Sequence, residues 1–174
     1  LSPSLNDGER ITAAYNLSAI ESLVSTNYHG LLLLAIRSDD VDYDGYAKKW
    51  CFVYSSAGIA VDYIFYSTYD GVGFNSTTSK IIGISFISQS WFNSDKALKI
   101  AEENGGRDFR MKNPDYSIKA SLSKPGVPNS TPFWYVTYRS KSDKTKSLML
   151  GINAKTGEIT LKYPSEDDSG LLKG

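Results

Sequence analysis

A chain of 174 residues, 41% hydrophobic and 22% charged, has the make-up of an ordinary globular protein, long enough for one domain or for two small ones sharing a core. Nineteen basic and nineteen acidic residues cancel, which argues against a general attraction to nucleic-acid phosphates. The longest apolar run, residues 31–36, is far too short to cross a bilayer, and the single Cys51 rules out an internal disulfide framework.

The charge balance hides an asymmetry: residues 1–87 carry a net −4 and residues 88–174 a net +4. That describes either two solvated surfaces of different sign, or halves that attract each other or offer a bipolar surface to a partner. Twelve tyrosines are the compositional surplus. Tyrosine suits half-buried strands and also binding surfaces, because one end is apolar and the other hydrogen-bonds. The chain opens at Leu1 rather than Met, as it would if an export signal or anchor had been cut away.

In chain order, the first predicted element is a helix over residues 16–29. Ser18 and Glu21 have capping-box spacing, Ile20, Leu23 and Val24 make its apolar face, Gly30 stops it, and Tyr15 stands where a hydrophobic staple would. Strands follow around residues 31–36 and 49–56. The run 80–88 predicts a strand linking two parts of the chain. A second helix starts at Asn93 or Ser94, with Ala97, Ile100, Ala101 and Asn104 on one face and Gly105–Gly106 as its stop. Four strands then alternate with period two: Ile118, Ala120 and Leu122; Trp134, Val136 and Tyr138; Leu148, Leu150 and Ile152; and, after the turn at residues 155–157, Ile159, Leu161 and Tyr163. One polar parity against one apolar parity predicts an antiparallel sheet with helices on one face, hence α+β.

The elements come twice. Trp50 and Tyr54 align with Trp134 and Tyr138 at a spacing of 84, and Ile36 falls on Ala120 in the same frame. Tyr15-Asn16, Leu23-Val24 and Asn27 align with Phe92-Asn93, Ile100-Ala101 and Asn104 at a spacing of 77. The difference fits an insertion around residues 107–113. Two tandem helix-plus-four-strand repeats are therefore expected, at 1–79 and 91–164, with a linking strand at 80–90 and a flexible tail at 165–174.

The second unit carries the motifs of a family. The helix Asp95-Lys96-Ala97-Leu98-Lys99-Ile100-Ala101, the strand Trp134-Tyr135-Val136-Thr137-Tyr138 and the hairpin Asn153-Ala154-Lys155-Thr156-Gly157-Glu158-Ile159 resemble a PepSY-type domain, with Asn153 replacing the usual Asp. That resemblance covers about residues 91–164 well and the first unit only in outline. It implies a secreted, periplasmic or lipid-anchored protein, a propeptide-like or inhibitory role, and no catalytic residues. Tandem copies also resemble the architecture of the β-lactamase inhibitor proteins, whose sheet binds an enzyme; that likeness is of fold alone and names no target.

Chemistry-bearing residues are few. Cys51 and His29 are the one pair that suggests nucleophilic catalysis, but Cys51 lies inside a predicted strand and His29 at a helix end, so no dyad is expected. Asp40, Asp42 and Asp44 followed by Gly45 reproduce the first half of a calcium loop. Its closing Glu would fall on Cys51, so a solvated acidic turn is the plainer reading. Asp167 and Asp168 fall in the predicted tail. No phosphate loop or metal-spaced Cys/His set is present in the sequence.

The expected function is a non-enzymatic, extracytoplasmic module that binds a protein or peptide, inhibitory or regulatory toward an envelope or secreted enzyme. The alternative is a structural or sensory envelope-tethered domain with calcium holding the acidic loop. Nucleic acid is not an expected partner, and a membrane only through a lipid anchor outside this sequence. Carrying the polar parity of the second unit to the first puts Leu31, Leu33, Ala35, Cys51, Val53, Tyr63 and Phe65 on the sheet face away from the helix. An apolar face of that kind must be covered, either by the chain itself or by a partner for which Leu31, Leu33, Tyr63 and Phe65 are the expected contacts.

Overall fold

A computed structural model describes residues 9–164. The tail assigned to 165–174, with Asp167 and Asp168, lies outside the described residues. The chain runs as helix α1 (Leu17–Asn27), strands β1 (Leu32–Ser38), β2 (Lys49–Ser55), β3 (Val61–Thr68) and β4 (Gly71–Ser79), and a two-residue strand β5 (Ile84–Ser85). Helices α2 (Ser94–Ala101) and α3 (Arg107–Lys112) follow, then β6 (Tyr116–Pro125), β7 (Phe133–Ser140), β8 (Ser147–Asn153) and β9 (Ile159–Tyr163). All nine strands join one antiparallel sheet, in the order β4-β3-β2-β1-β6-β7-β8-β9, with β5 on β6. No helix among the described residues is long and apolar enough to cross a membrane.

The helices cover one face, and a single cluster of buried side chains lies beneath them. Ile20 and Val24 of α1, Ala97, Leu98 and Ala101 of α2, and Ile36, Trp50, Phe52, Leu122, Trp134, Val136 and Leu150 of the sheet all belong to it. Trp50 and Trp134 are fully buried on β2 and β7 and meet edge to face at 6.0 Å. Each indole N–H donates to a main-chain carbonyl ahead of a helix, Trp50 to Ile11 at 2.9 Å and Trp134 to Phe92 at 2.7 Å. Polar handles on two core indoles are thus satisfied without water.

Local chemistry departs from expectation at the first helix. It begins at Leu17, so Asn16 is the capping residue and the Ser18–Glu21 box does not form. Asn16 Nδ2 instead donates to the Thr68 carbonyl at 2.7 Å and to Ser67 Oγ at 3.1 Å, tying the helix start to the end of β3. Tyr15 is 56% exposed and stacks on Tyr69 rather than stapling the helix. At α2, Asn93 is the N-cap and its Oδ1 accepts from the N–H of Ser94, the first helical residue. From Ala101 the chain goes on through a π-helical turn, Glu102–Gly106, kinked at Gly105 (φ +115), and the insertion 107–113 turns out to hold α3. Arg110 of α3 pairs with both oxygens of Glu102, which also accepts from Tyr138 Oη. The Arg110 guanidinium lies 4.3 Å from the centre of the Tyr43 ring, joining α3 to the loop after β1.

Three one-residue bulges decide which side chains face where. In β1, Leu33 pairs with Tyr54 and Ala35 with Val53, leaving Leu34 extra. The inserted residue flips the parity upstream of it. Leu31 and Leu33 therefore pack on the helix-side core, not on the far face where strict alternation put them. In β4 the extra residue is Asn75. In β9, Ile159 pairs with Ile152 and Leu161 with Gly151, leaving Thr160 extra, so Leu161 and Tyr163 face away from the helices.

Tyr63 and Phe65 pair with Tyr54 and Phe52 and share their helix-side face; Phe65 is fully buried. The far face of the first half holds Ala35, Cys51 and Val53, as alternation placed them, together with Leu34 and Ile64, and Ile81, Ile84 and Phe86 of the linking segment fold over this cluster. That segment is a strand only at Ile84–Ser85, which wedges beside β6 where β1 diverges, while the Ile87 N–H donates to the Leu33 carbonyl.

Candidate functional site: the open face of the sheet

Cross-strand partners share a face, so the register traces rows across the sheet. One row on the face without helices starts at Gly73 and Tyr66 and passes through Cys51 and Arg37. It continues through Ser121 and Tyr135 to Gly151 and Leu161. The glycines make room for rings. A Cβ on Gly73 would lie 2.5 Å from Tyr66 Oη, and one on Gly151 would lie 2.9 Å from Leu161 Cβ and 3.5 Å from Tyr135 Cε1. Tyr66 thus lies over Gly73 of the neighbouring strand and Tyr135 stands beside Gly151, on either side of Cys51, Arg37 and Ser121.

Arg37 is exposed and stands between two depressions. One, of about 630 Å³, is lined by Asp39, Lys49, Cys51, Ile64 and Asn75. The other, of about 260 Å³, is lined by Lys119, Ser121, Tyr135 and Thr137. Lys119 approaches Asp39 at 3.8 Å, an exposed pair of little energetic weight. Toward β9 the same face turns apolar: Met149, Leu161 and Tyr163 are 36%, 43% and 59% exposed, beside Tyr135 and its neighbour Phe133. Alternation had placed Thr160 and Lys162 here. The β9 bulge puts Leu161 and Tyr163 in their stead, and nothing in the hydropathy pattern announces it.

Of the contacts expected from sequence, Leu31, Leu33, Tyr63 and Phe65 are brought together, but in the helix-side core. Cys51 is on the open face and partly exposed; burial raises its thiol pKa, against the opposing charges of Lys49 and Arg37. His29 lines a separate groove between α1, β1 and the linking segment, so the two do not meet.

The acidic loop is organised by hydrogen bonds and one arginine. Asp42 Oδ1 accepts the N–H groups of Asp44 at 3.0 Å and Tyr46 at 2.9 Å, and its Oδ2 lies 3.2 Å from Arg10 Nε. The Asp40 side chain is 83% exposed, 3.9 Å from Arg10, whose Nη2 donates to the Asp40 carbonyl at 3.0 Å. Asp42 and Asp44 line one depression with Arg10 and Tyr46, and no group of three or more His, Cys, Asp or Glu among the described residues could hold a metal. The turn serves packing. Gly45, at φ +89, sits against α2, where Ser94 Oγ donates to its carbonyl at 2.7 Å.

No family model, no curated protein and no solved structure matches this chain.

Proposed function

We propose that this chain is a non-enzymatic module that binds a protein or peptide through the open face of its sheet. The observation that carries the reading is the exposed strip Met149, Leu161 and Tyr163 beside the half-buried Tyr135, continuous with a central arginine and lying where no helix of the described residues covers the sheet. Aromatic side chains and arginine dominate the energetics of protein contacts, and apolar strips of this kind mark them. An inhibitory or regulatory role toward an envelope or secreted enzyme, and a place outside the cytoplasm, are what the resemblance of residues 91–164 to a PepSY-type domain implies. Fractionation of source cells tests the location. Calcium at the acidic loop belongs to the alternative, envelope-tethered reading.

In this reading the surface is the product of a duplication. The 84-residue spacing carries the pair Ile36–Phe52 onto Ala120–Val136 and Arg37–Cys51 onto Ser121–Tyr135. At the junction of β1 and β6, Arg37 pairs with Ser121, its own counterpart at that spacing. The register thus supports two tandem copies related by a pseudo-twofold axis that passes between Arg37 and Ser121, with the contact face spanning both.

The test uses Leu161→Asp with Tyr163→Lys, both exposed, against wild type as bait for the source's envelope proteins. A folded variant should lose a partner that wild type retains. Unchanged capture of every retained protein would sink the reading.

A further inference from the structure

The geometry points to β4 as a second, separate interaction surface: its edge pairs antiparallel with β4 of a second copy, extending the sheet across a twofold axis. β4 is a sheet edge of nine residues with no charged residue and no proline. An edge strand turns unpaired N–H and C=O groups outward, and proteins blunt such edges with lysine, proline or a covering element. The opposite edge, β9, is so blunted: it has five residues, includes Lys162 and runs into Pro164.

The bulge at Asn75 divides β4 into two arms, and the arm 76–79 suits self-pairing better. It reads Ser76-Thr77-Thr78-Ser79, with Thr77 and Ser79 exposed. About a twofold axis every residue meets its own kind or a near neighbour, so a charge in this arm would oppose itself, whereas opposed threonines hydrogen-bond. A charge-free arm is what self-pairing demands and what a foreign strand would not. Lys80, the next residue, leaves the edge clear. Its Nζ donates to Ser55 Oγ at 2.7 Å and to the Ser56 carbonyl at 2.6 Å, beside the fully buried Asp62. The blunted β9 edge makes the pair a closed dimer instead of a growing ribbon. The sheet already contains an antiparallel junction of this type at β1 and β6.

The experiment measures mass by sedimentation equilibrium across a concentration series, for wild type, Thr77→Lys and Thr77→Glu. Wild type should double its mass as concentration rises, and hydrogen exchange at residues 76–79 should slow in parallel. Each variant should stay monomeric with an unchanged far-UV circular dichroism spectrum, and an equimolar mixture of the two should regain the doubled mass. A wild type monomeric at every concentration reached overturns the proposal. So do variants that dimerise as wild type does, or an edge that takes a foreign extended peptide without self-association.

Discussion

Gly45 shows how much a single position can carry. Its φ of +89 disfavours any side chain, and a Cβ there would lie 2.5 Å from the Ser94 carbonyl oxygen and 2.6 Å from Asp95 Cα. Both obstacles are backbone, so neither can swing aside. Gly45→Ala should destabilise the protein by about 2 kcal/mol or more, read as a lower denaturant midpoint; an unchanged midpoint would mean the loop does not dock on α2. In the same loop Asp42 is committed to two N–H groups and to Arg10. Calcium at millimolar levels should therefore leave the melting temperature where it was, whereas a rise would show that the ion displaces Arg10. Asp115 supplies a pH dependence. Hydrogen bonds from Ser142, and then from Ser140, lower its pKa to about 2. A carboxylate whose folded pKa is depressed contributes stability above its unfolded value of roughly 4, and that contribution vanishes as pH falls through about 2. Asp115→Asn should flatten the acid limb of the stability profile over that interval, and an acid limb as steep as wild type's would refute the assignment.

At the level of elements, period and caps revealed where the chain is regular and concealed where it slips. The second helix, the buried parity of β6, β7 and β8 and the break at Gly105 could all be read, because each rests on several residues that agree. The bulges could not. One extra residue, Leu34 in β1 or Thr160 in β9, leaves composition untouched and reverses a whole face. For that reason Leu31 and Leu33, expected from alternation on the far face, pack against the core, while Leu161 and Tyr163 reach the open face. Tyr63 and Phe65 differ from expectation through the register across the turn into β3, where they pair with Tyr54 and Phe52 on the helix side. Asn16 gave no sign that it would tie α1 to β3. Opposite substitutions at paired elements check this assignment. Phe65→Asp places a carboxylate in a fully buried site and should unfold the protein, whereas Leu161→Asp should shift stability by no more than about 0.5 kcal/mol. Circular dichroism melts of the two variants distinguish the faces, and a folded Phe65→Asp would reverse them.

For the whole molecule the question is whether the two runs of helix and strands fold as one body. On the helix side their buried side chains form one cluster, and its largest members, Trp50 from the first half and Trp134 from the second, pack with ring centres 6.0 Å apart over the β1–β6 junction. Trp91 from the linking segment packs on Trp134 at 6.1 Å, so the join between the halves is itself part of this aromatic centre. A core shared in this way predicts a single cooperative transition rather than two. It also predicts that the tryptophans are energetically coupled. Trp50→Ala and Trp134→Ala should each cost about 3–5 kcal/mol, because each removes a fully buried ring and strands the carbonyl that its indole N–H had satisfied. The double variant should cost less than their sum by about 0.5–3 kcal/mol, since the first truncation has already removed the ring the second would have lost. Because both losses are large, the conservative pair Trp50→Phe and Trp134→Phe keeps the cycle measurable if the alanine variants do not fold. Denaturant unfolding followed by circular dichroism supplies the four free energies. Strict additivity together with two separate transitions would show that the halves are independent domains which merely share a sheet.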